Sequence, residues 1–107
     1  INYYLPTFDR RSGSLLGYLV DITEQGLMLQ THDQLAPDQD IELRLQLKEP
    51  LDGADHILLE ARVVWSRKQG TAIFFHTGFE FRSIEEDQRR LVNMLIKSYR
   101  LDMPEAD

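Results

Sequence analysis

Cysteine is absent from the 107 residues, which removes disulfides, thiolate metal sites and thiol nucleophiles together. A reducing compartment is the simplest setting for such a chain, so a cytoplasmic location is expected. No apolar run approaches the ~20 residues that a membrane-spanning helix needs, and no membrane insertion is expected. Nothing at the amino end has the basic, apolar and small-residue succession of a cleaved signal. Basic residues are the scarcer sign of charge: 12 Lys and Arg stand against 18 Asp and Glu, a net charge of -6 with histidines neutral. A field of that sign repels phosphate, which argues against DNA or RNA as partners. Any anionic ligand must then be held by a local group of arginines or backbone N–H groups. What is present is ordinary: 42% hydrophobic and 28% charged residues, at a length suited to one core. One domain across residues 1–107 is the expectation.

Aromatics and a threonine extend over residues 3–8, and Arg11, Ser12, Gly13 and Ser14 supply turn chemistry before a second apolar strand at 15–22. Gly26 interrupts, a third strand resumes over 27–29, and a polar stretch with Pro37 follows. Ile41, Leu43, Leu45 and Leu47 then alternate with Glu42, Arg44, Gln46 and Lys48, the period of a strand with one buried face. Pro50, Asp52 and Gly53 turn the chain into a fifth strand, where Ile57, Leu59, Ala61, Val63 and Trp65 share a parity that assigns Trp65 to the core. Beyond Lys68, Gln69 and Gly70 a sixth strand has Ile73, Phe75, Phe79 and Phe81 in phase, with Gly78 marking a bulge or bend. The period then lengthens. Ser83 and Glu86 have the spacing of a capping box, and Ile84, Leu91, Leu95 and Tyr99 fall on one side of a helix over 84–100. Residues 102–107 read as a frayed acidic tail. Strands within 3–82 followed by one amphipathic helix predict an all-β fold: a six-stranded antiparallel β-barrel with a C-terminal helix.

Between the second and third strands stands Asp21-Ile22-Thr23-Glu24-Gln25-Gly26. Asp and Thr side chains accept bonds from the N–H groups of a tight connection, and Gly26 permits either positive φ or close approach of another group to the backbone. On these six residues alone two readings stay open: a turn whose polar groups satisfy only their own backbone, and a built polar site. In its setting the segment resembles the second signature of the PilZ domain family, an Asp or Asn, any residue, Ser, two of any kind, then Gly. Here the hydroxyl belongs to Thr23. Gly26-Leu27-Met28-Leu29 is similar to the family's third strand, Val63-Val64-Trp65 to its penultimate strand and Gly78-Phe79-Glu80-Phe81 to its closing strand, so the resemblance covers almost the whole chain.

That resemblance implies a bacterial receptor for the second messenger cyclic di-GMP, which relays its level to a protein partner controlling motility, pili, surface attachment or biofilm. It also implies three ligand-binding residues: Asp21 accepts from guanine N–H groups, Thr23 supplies the hydroxyl and Gly26 keeps the corner tight. The family's first signature, two arginines separated by three residues, grips phosphates and stacks on bases, tasks that suit a planar guanidinium. No Arg-x-x-x-Arg occurs in the 107 residues. A hairpin turning at Ser12 and Gly13 sets residues 1–3 beside 22–24, so a segment ahead of Ile1 would lie next to the corner, where the resemblance implies the pair. The alternative is a degenerate PilZ domain that binds no nucleotide and acts by protein contacts alone.

Other residues have plainer readings. Arg10 and Arg11 lie at the far end of the first hairpin from Asp21, Arg67 and Lys68 at a hairpin tip, and Arg89 and Arg90 on the wet side of the helix. His32, His56 and His76 lack the short spacings of metal ligands, and no metal or cofactor is expected. There is no Gly-x-Ser-x-Gly and no glycine-rich phosphate loop, and Glu85, Glu86 and Asp87 read as charge at a helix start. No enzymatic activity is expected.

Overall fold

The structure, a computed structural model, describes residues 4–102, with side chains described through Tyr99. Six strands precede one helix: β1 (Pro6–Asp9), β2 (Leu15–Ile22), β3 (Gly26–Thr31), β4 (Asp40–Leu51), β5 (Ala54–Lys68), β6 (Phe75–Ser83) and α1 (Glu86–Asp102). All neighbours are antiparallel, and the strands close into a barrel in the order β1, β2, β3, β6, β5, β4. Alternation in the sequence becomes alternation of faces. Leu43 and Leu45 are fully buried, with Ile41 and Leu47 nearly so, and Leu19, Leu29, Ile57 and Val63 meet them from the other strands.

Turn chemistry sets the register. Asp52 and Gly53 both take positive φ, 49° and 82°, as a two-residue hairpin whose twist matches its strands requires. In the first hairpin Asp9 Oδ1 accepts from Arg11 N at 2.9 Å and Gly13 takes φ 76°. Pro6 faces Tyr18 and Thr7 faces Gly17, one residue from the expected register. Tyr4 N carries the pairing on by donating to Leu19 O at 2.6 Å. Residues 1–3, expected beside 22–24, lie outside the described residues, as do 103–107 of the expected frayed tail.

Only β3 and β4 lack a hairpin connection, because β6 and β5 stand between them in the barrel. Their link, residues 32–39, is fastened by a chain of hydroxyls. Leu35 N donates to Ser66 Oγ (3.1 Å), Ser66 Oγ contacts Thr77 Oγ1 (2.8 Å), Thr77 Oγ1 contacts Thr31 Oγ1 (2.9 Å), and Thr31 Oγ1 donates to Asp33 O (2.8 Å). Each hydroxyl has one proton, and that of Thr31 is used on a carbonyl. Thr77 therefore donates to Thr31, and Ser66 donates to Thr77. Thr31 and Thr77 are buried, and the relay lets them be so without an orphaned polar atom.

The helix begins later than its sequence signal. Ser83 ends β6, and Glu85 stands at the cap, since its carbonyl accepts the first helical bond from Arg89 N at 2.9 Å. Gln88, three residues on, returns a side-chain bond to Glu85 N at 2.8 Å, half of a capping box. Its amide also donates to Leu58 O at 2.6 Å and ties the helix to β5. Val92 and Leu95 are buried against the barrel. Arg90 is exposed on the wet side as expected, and there it pairs with Asp52 of the β4–β5 turn and lies 3.7 Å from Asp87. Ile73 also departs from expectation: it precedes β6 and is 85% exposed.

Candidate functional site

The corner at residues 21–26 owes its shape to a bulge. Pairing of β2 with β3 shifts between Leu19 and Asp21, so Val20 is the extra residue. Leu19 and Ile22 both point inward as a result, and Asp21 between them points out. The Asp21 carboxylate accepts Ile22 N through Oδ1 at 2.9 Å and otherwise faces solvent among the described residues. Beyond it the chain reverses tightly: Thr23 N donates to Gly26 O at 2.9 Å, and Thr23 Oγ1 accepts from Gln25 N at 3.2 Å and lies 3.4 Å from Gly26 O. The Thr23 hydroxyl thus serves the turn first, and one lone pair remains for a ligand.

Gly26 resolves one of the choices the sequence left open. Positive φ among the described glycines is confined to Gly13, Gly53 and Gly70. Gly26 is instead a site of close approach, where a Cβ would stand 2.1 Å from the carbonyl oxygen of Phe79 on β6. Phe81 N donates to Gln25 O at 2.8 Å in the same place, so the corner is pinned to the closing strand on both sides of Gly26.

A second bulge builds the opposite wall. Pairing of β5 with β6 shifts between Val63 and Trp65, with Val64 extra, and the parity that assigned Trp65 to the core ends there. Val63 is fully buried, whereas Trp65 is half-buried and absent from the core. Its indole lies over Gly78, where a Cβ would come within 2.4 Å of Cε2 and Nε1. The sequence reading missed this residue. The available signal was Gly78 itself, a gap in one strand that a large ring on its neighbour fills.

Asp21, Met28, Gly78 and Trp65 consequently stand side by side on four adjacent strands, β2, β3, β6 and β5. Between the corner and the indole lies an open groove of about 390 Å³, whose lining includes Asp21, Thr23 and Gly26 together with Val64, Trp65 and Glu80. All three residues singled out from the sequence share this one groove. Val64 is 50% exposed, and Arg67 places its guanidinium 5.3 Å from the Trp65 ring centroid.

A larger cleft, about 600 Å³, lies over β4, β5 and the end of β6, lined by Asp9, Asp40, Glu42, Glu60 and Arg82 among others. Its lining has four carboxylates against two arginines, Arg11 and Arg82, and the neighbouring Arg10 and Arg62 are themselves paired with that lining. Arg10 holds Glu42 at 2.8 Å, and Arg62 holds Asp40 at 2.9 Å and keeps that carboxyl below its usual range by hydrogen bonding. Such a surface does not favour an anion. The histidines are dispersed: His32 contacts Asp33 at 3.2 Å, His56 contacts Asp55 at 2.6 Å and His76 lies against Phe74. Among the described residues no group of three or more potential ligands could hold a metal ion, and no helix is long and apolar enough to cross a membrane.

Closed barrel, carboxylate corner and aromatic-walled groove stand together, the groove on the outer face of the sheet. The model of the PilZ domain family matches residues 3–98, and the chain belongs to that family. No curated protein and no solved structure matches it. PilZ domains are binding and adaptor domains, not enzymes, and the family is one of cyclic di-GMP receptors.

Proposed function

We propose that the groove beside Asp21 binds cyclic di-GMP, and that the domain relays the level of this messenger in the bacterial cytoplasm to a protein partner governing motility, pili or surface attachment, with no catalysis of its own. The observation that carries this reading is the outward Asp21 carboxylate, raised by the β2 bulge and sharing a groove with Thr23 and Trp65. A carboxylate accepts well from the N1–H and N2–H groups of guanine, and a groove of this size lies within the range of small-molecule clefts. Titration calorimetry of cyclic di-GMP into the full-length protein tests it. Asp21→Ala removes one bond to the neighbouring Ile22 N, a loss of about 0.5–1.5 kcal/mol in stability, and leaves the barrel folded. The expected result is a drop in affinity of at least about tenfold with only a small change in melting temperature. Unchanged affinity in a folded Asp21→Ala protein counts against the proposal.

One observation favours a second reading, a ligand-free adaptor: no Arg-x-x-x-Arg occurs within the 107 residues. On that reading calorimetry of the full-length protein gives no heat even at millimolar nucleotide, and Asp21 serves only the turn.

A further inference from the structure

We infer that the apolar hollow between the start of β2 and the loop ahead of β6 is a docking site for a protein segment that presents one large apolar side chain flanked by carboxylates. The inference rests on the reading of the domain as one that acts through a protein partner, and it does not depend on the groove beside Asp21 taking nucleotide.

The first ground is where apolar surface is left in water. Among the described residues five large hydrophobic side chains are exposed, and three of them, Leu15, Tyr18 and Ile73, line one hollow. Singly such residues are ordinary, whereas a cluster of them marks a contact surface. Each is exposed for a local reason. Pairing of β1 with β2 shifts between Thr7 and Phe8, with Leu16 extra, and Leu15 beyond that bulge is left in solvent. Ile73 follows a turn in which Ala72 N donates to Gln69 O at 2.9 Å, and it is the most exposed of the five. Phe74, half-buried beside it, lines the same hollow.

The second ground is size. The hollow has a volume of about 260 Å³, below the range of small-molecule clefts and suited to a single aromatic or branched side chain. Anchors of protein interfaces lodge in pockets of that kind.

The third ground is charge. In a chain of net charge -6, no carboxylate lines this hollow. Tyr18 faces Gln30, Gln30 faces His76 and His76 faces Arg67, so the row that starts at the hollow ends on Arg67, with Lys68 next to it. Neither Arg67 nor Lys68 has a carboxylate within 4 Å among the described residues. Asp33, which adjoins the lining in sequence, is in contact with His32 at 3.2 Å. A short segment feels only charges within a Debye length of about 8 Å, and here those free to pair are positive. An anionic membrane or a second copy of the chain meets the whole acidic surface instead, which disfavours both.

The hollow also adjoins the groove. Met28 and Gly78, which line the groove, are two residues along β3 and β6 from Gln30 and His76, about 7 Å away on the same outer face. A segment docked along this row lies next to whatever the groove holds.

A randomised peptide library displayed on phage and selected against the full-length protein reads the chemistry of the occupant. Enriched peptides are expected to share one aromatic or branched apolar residue with Asp or Glu beside it. In titrations with synthetic copies of them, Ile73→Ser, a change at an exposed side chain, should weaken binding at least about tenfold. Tyr18→Ser should act in the same direction, and Arg67→Ala combined with Lys68→Ala should weaken binding and flatten its dependence on salt. Asp21→Ala should leave peptide binding unchanged. A basic consensus, or peptides that bind Ile73→Ser as tightly as the parent, overturns the inference. So does a dimer in sedimentation velocity that Ile73→Ser dissociates, or binding to phosphatidylglycerol vesicles that Ile73→Ser abolishes. Peptide binding without any heat from cyclic di-GMP strikes the nucleotide reading alone, and nucleotide binding without an acidic, apolar consensus strikes this inference alone.

Discussion

Replacing Gly26 by alanine tests whether this residue is kept for the backbone it admits. The added Cβ would meet Phe79 O at 2.1 Å and Phe79 C at 3.1 Å, distances that a side chain could relieve by rotating but a backbone carbonyl cannot. Strands β3 and β6 must therefore part where Gly26 faces Glu80, and the neighbouring bond from Phe81 N to Gln25 O is loosened with them. Overpacking costs about 1–3 kcal/mol and a lost ladder bond about 1 more, so Gly26→Ala should destabilise the domain by roughly 2–4 kcal/mol. For a domain of this size that lowers the melting temperature by roughly 10–25 °C, measured by circular dichroism with a urea titration as the second probe. Gly78→Ala is the control. Its three nearest atoms all belong to the Trp65 indole, which borders the groove and can swing away, so roughly 1 kcal/mol or less is expected. A Gly26→Ala protein that melts within about 3 °C of the parent, or a Gly78→Ala protein that falls as far as Gly26→Ala, would refute the reasoning.

Thr77→Val removes the central member of the hydroxyl relay and leaves Ser66 without its acceptor; a loss of about 1–2 kcal/mol by urea denaturation is expected, with faster amide exchange at Leu35. Exchange at Leu35 no faster than in the parent would show that the relay does not hold the 32–39 link. Asp40→Asn addresses pH. The Asp40 carboxyl is held below its ordinary value of 3.8 by Arg62, so its contribution to stability is full above that value and is lost as pH falls through the lowered one. The difference in urea midpoint between parent and Asp40→Asn should therefore be largest near neutrality and close as pH drops below about 4. A difference that stays constant from neutrality to pH 2 would mean the pair contributes nothing through its charge.

Much of the barrel was legible because it rests on local signals. Strict alternation over Ile41–Leu47, the Asp52-Gly53 turn and the change of period after residue 83 each express a constraint that neighbouring residues impose on one another. The corner at Asp21, Thr23 and Gly26 was legible for the same reason. Errors fell where distant strands decide. Trp65 has the parity of a core residue, and only the β5–β6 pairing, with its bulge at Val64 opposite Gly78, moves it to the surface. Arg90 is solvated as it reads, but its surface partner Asp52, 38 residues earlier in the chain, is not legible in the sequence. The capping signal was misread by two residues because Ser83 is claimed by the β6 ladder, where it faces Glu60.

By itself the sequence determined the number and order of the strands, the helix that follows them and the polar corner between the second and third, since each depends on periodicity or turn chemistry within a few residues. Tertiary structure alone decided which non-consecutive strands are neighbours, β3 with β6 and β1 with β4, and with that the groove. Asp21 and Trp65 lie 44 positions apart in the chain, and they line one groove because β6 enters between β3 and β5. Closing a sheet brings together residues of unrelated spacing, and no period within a strand encodes which ones will meet.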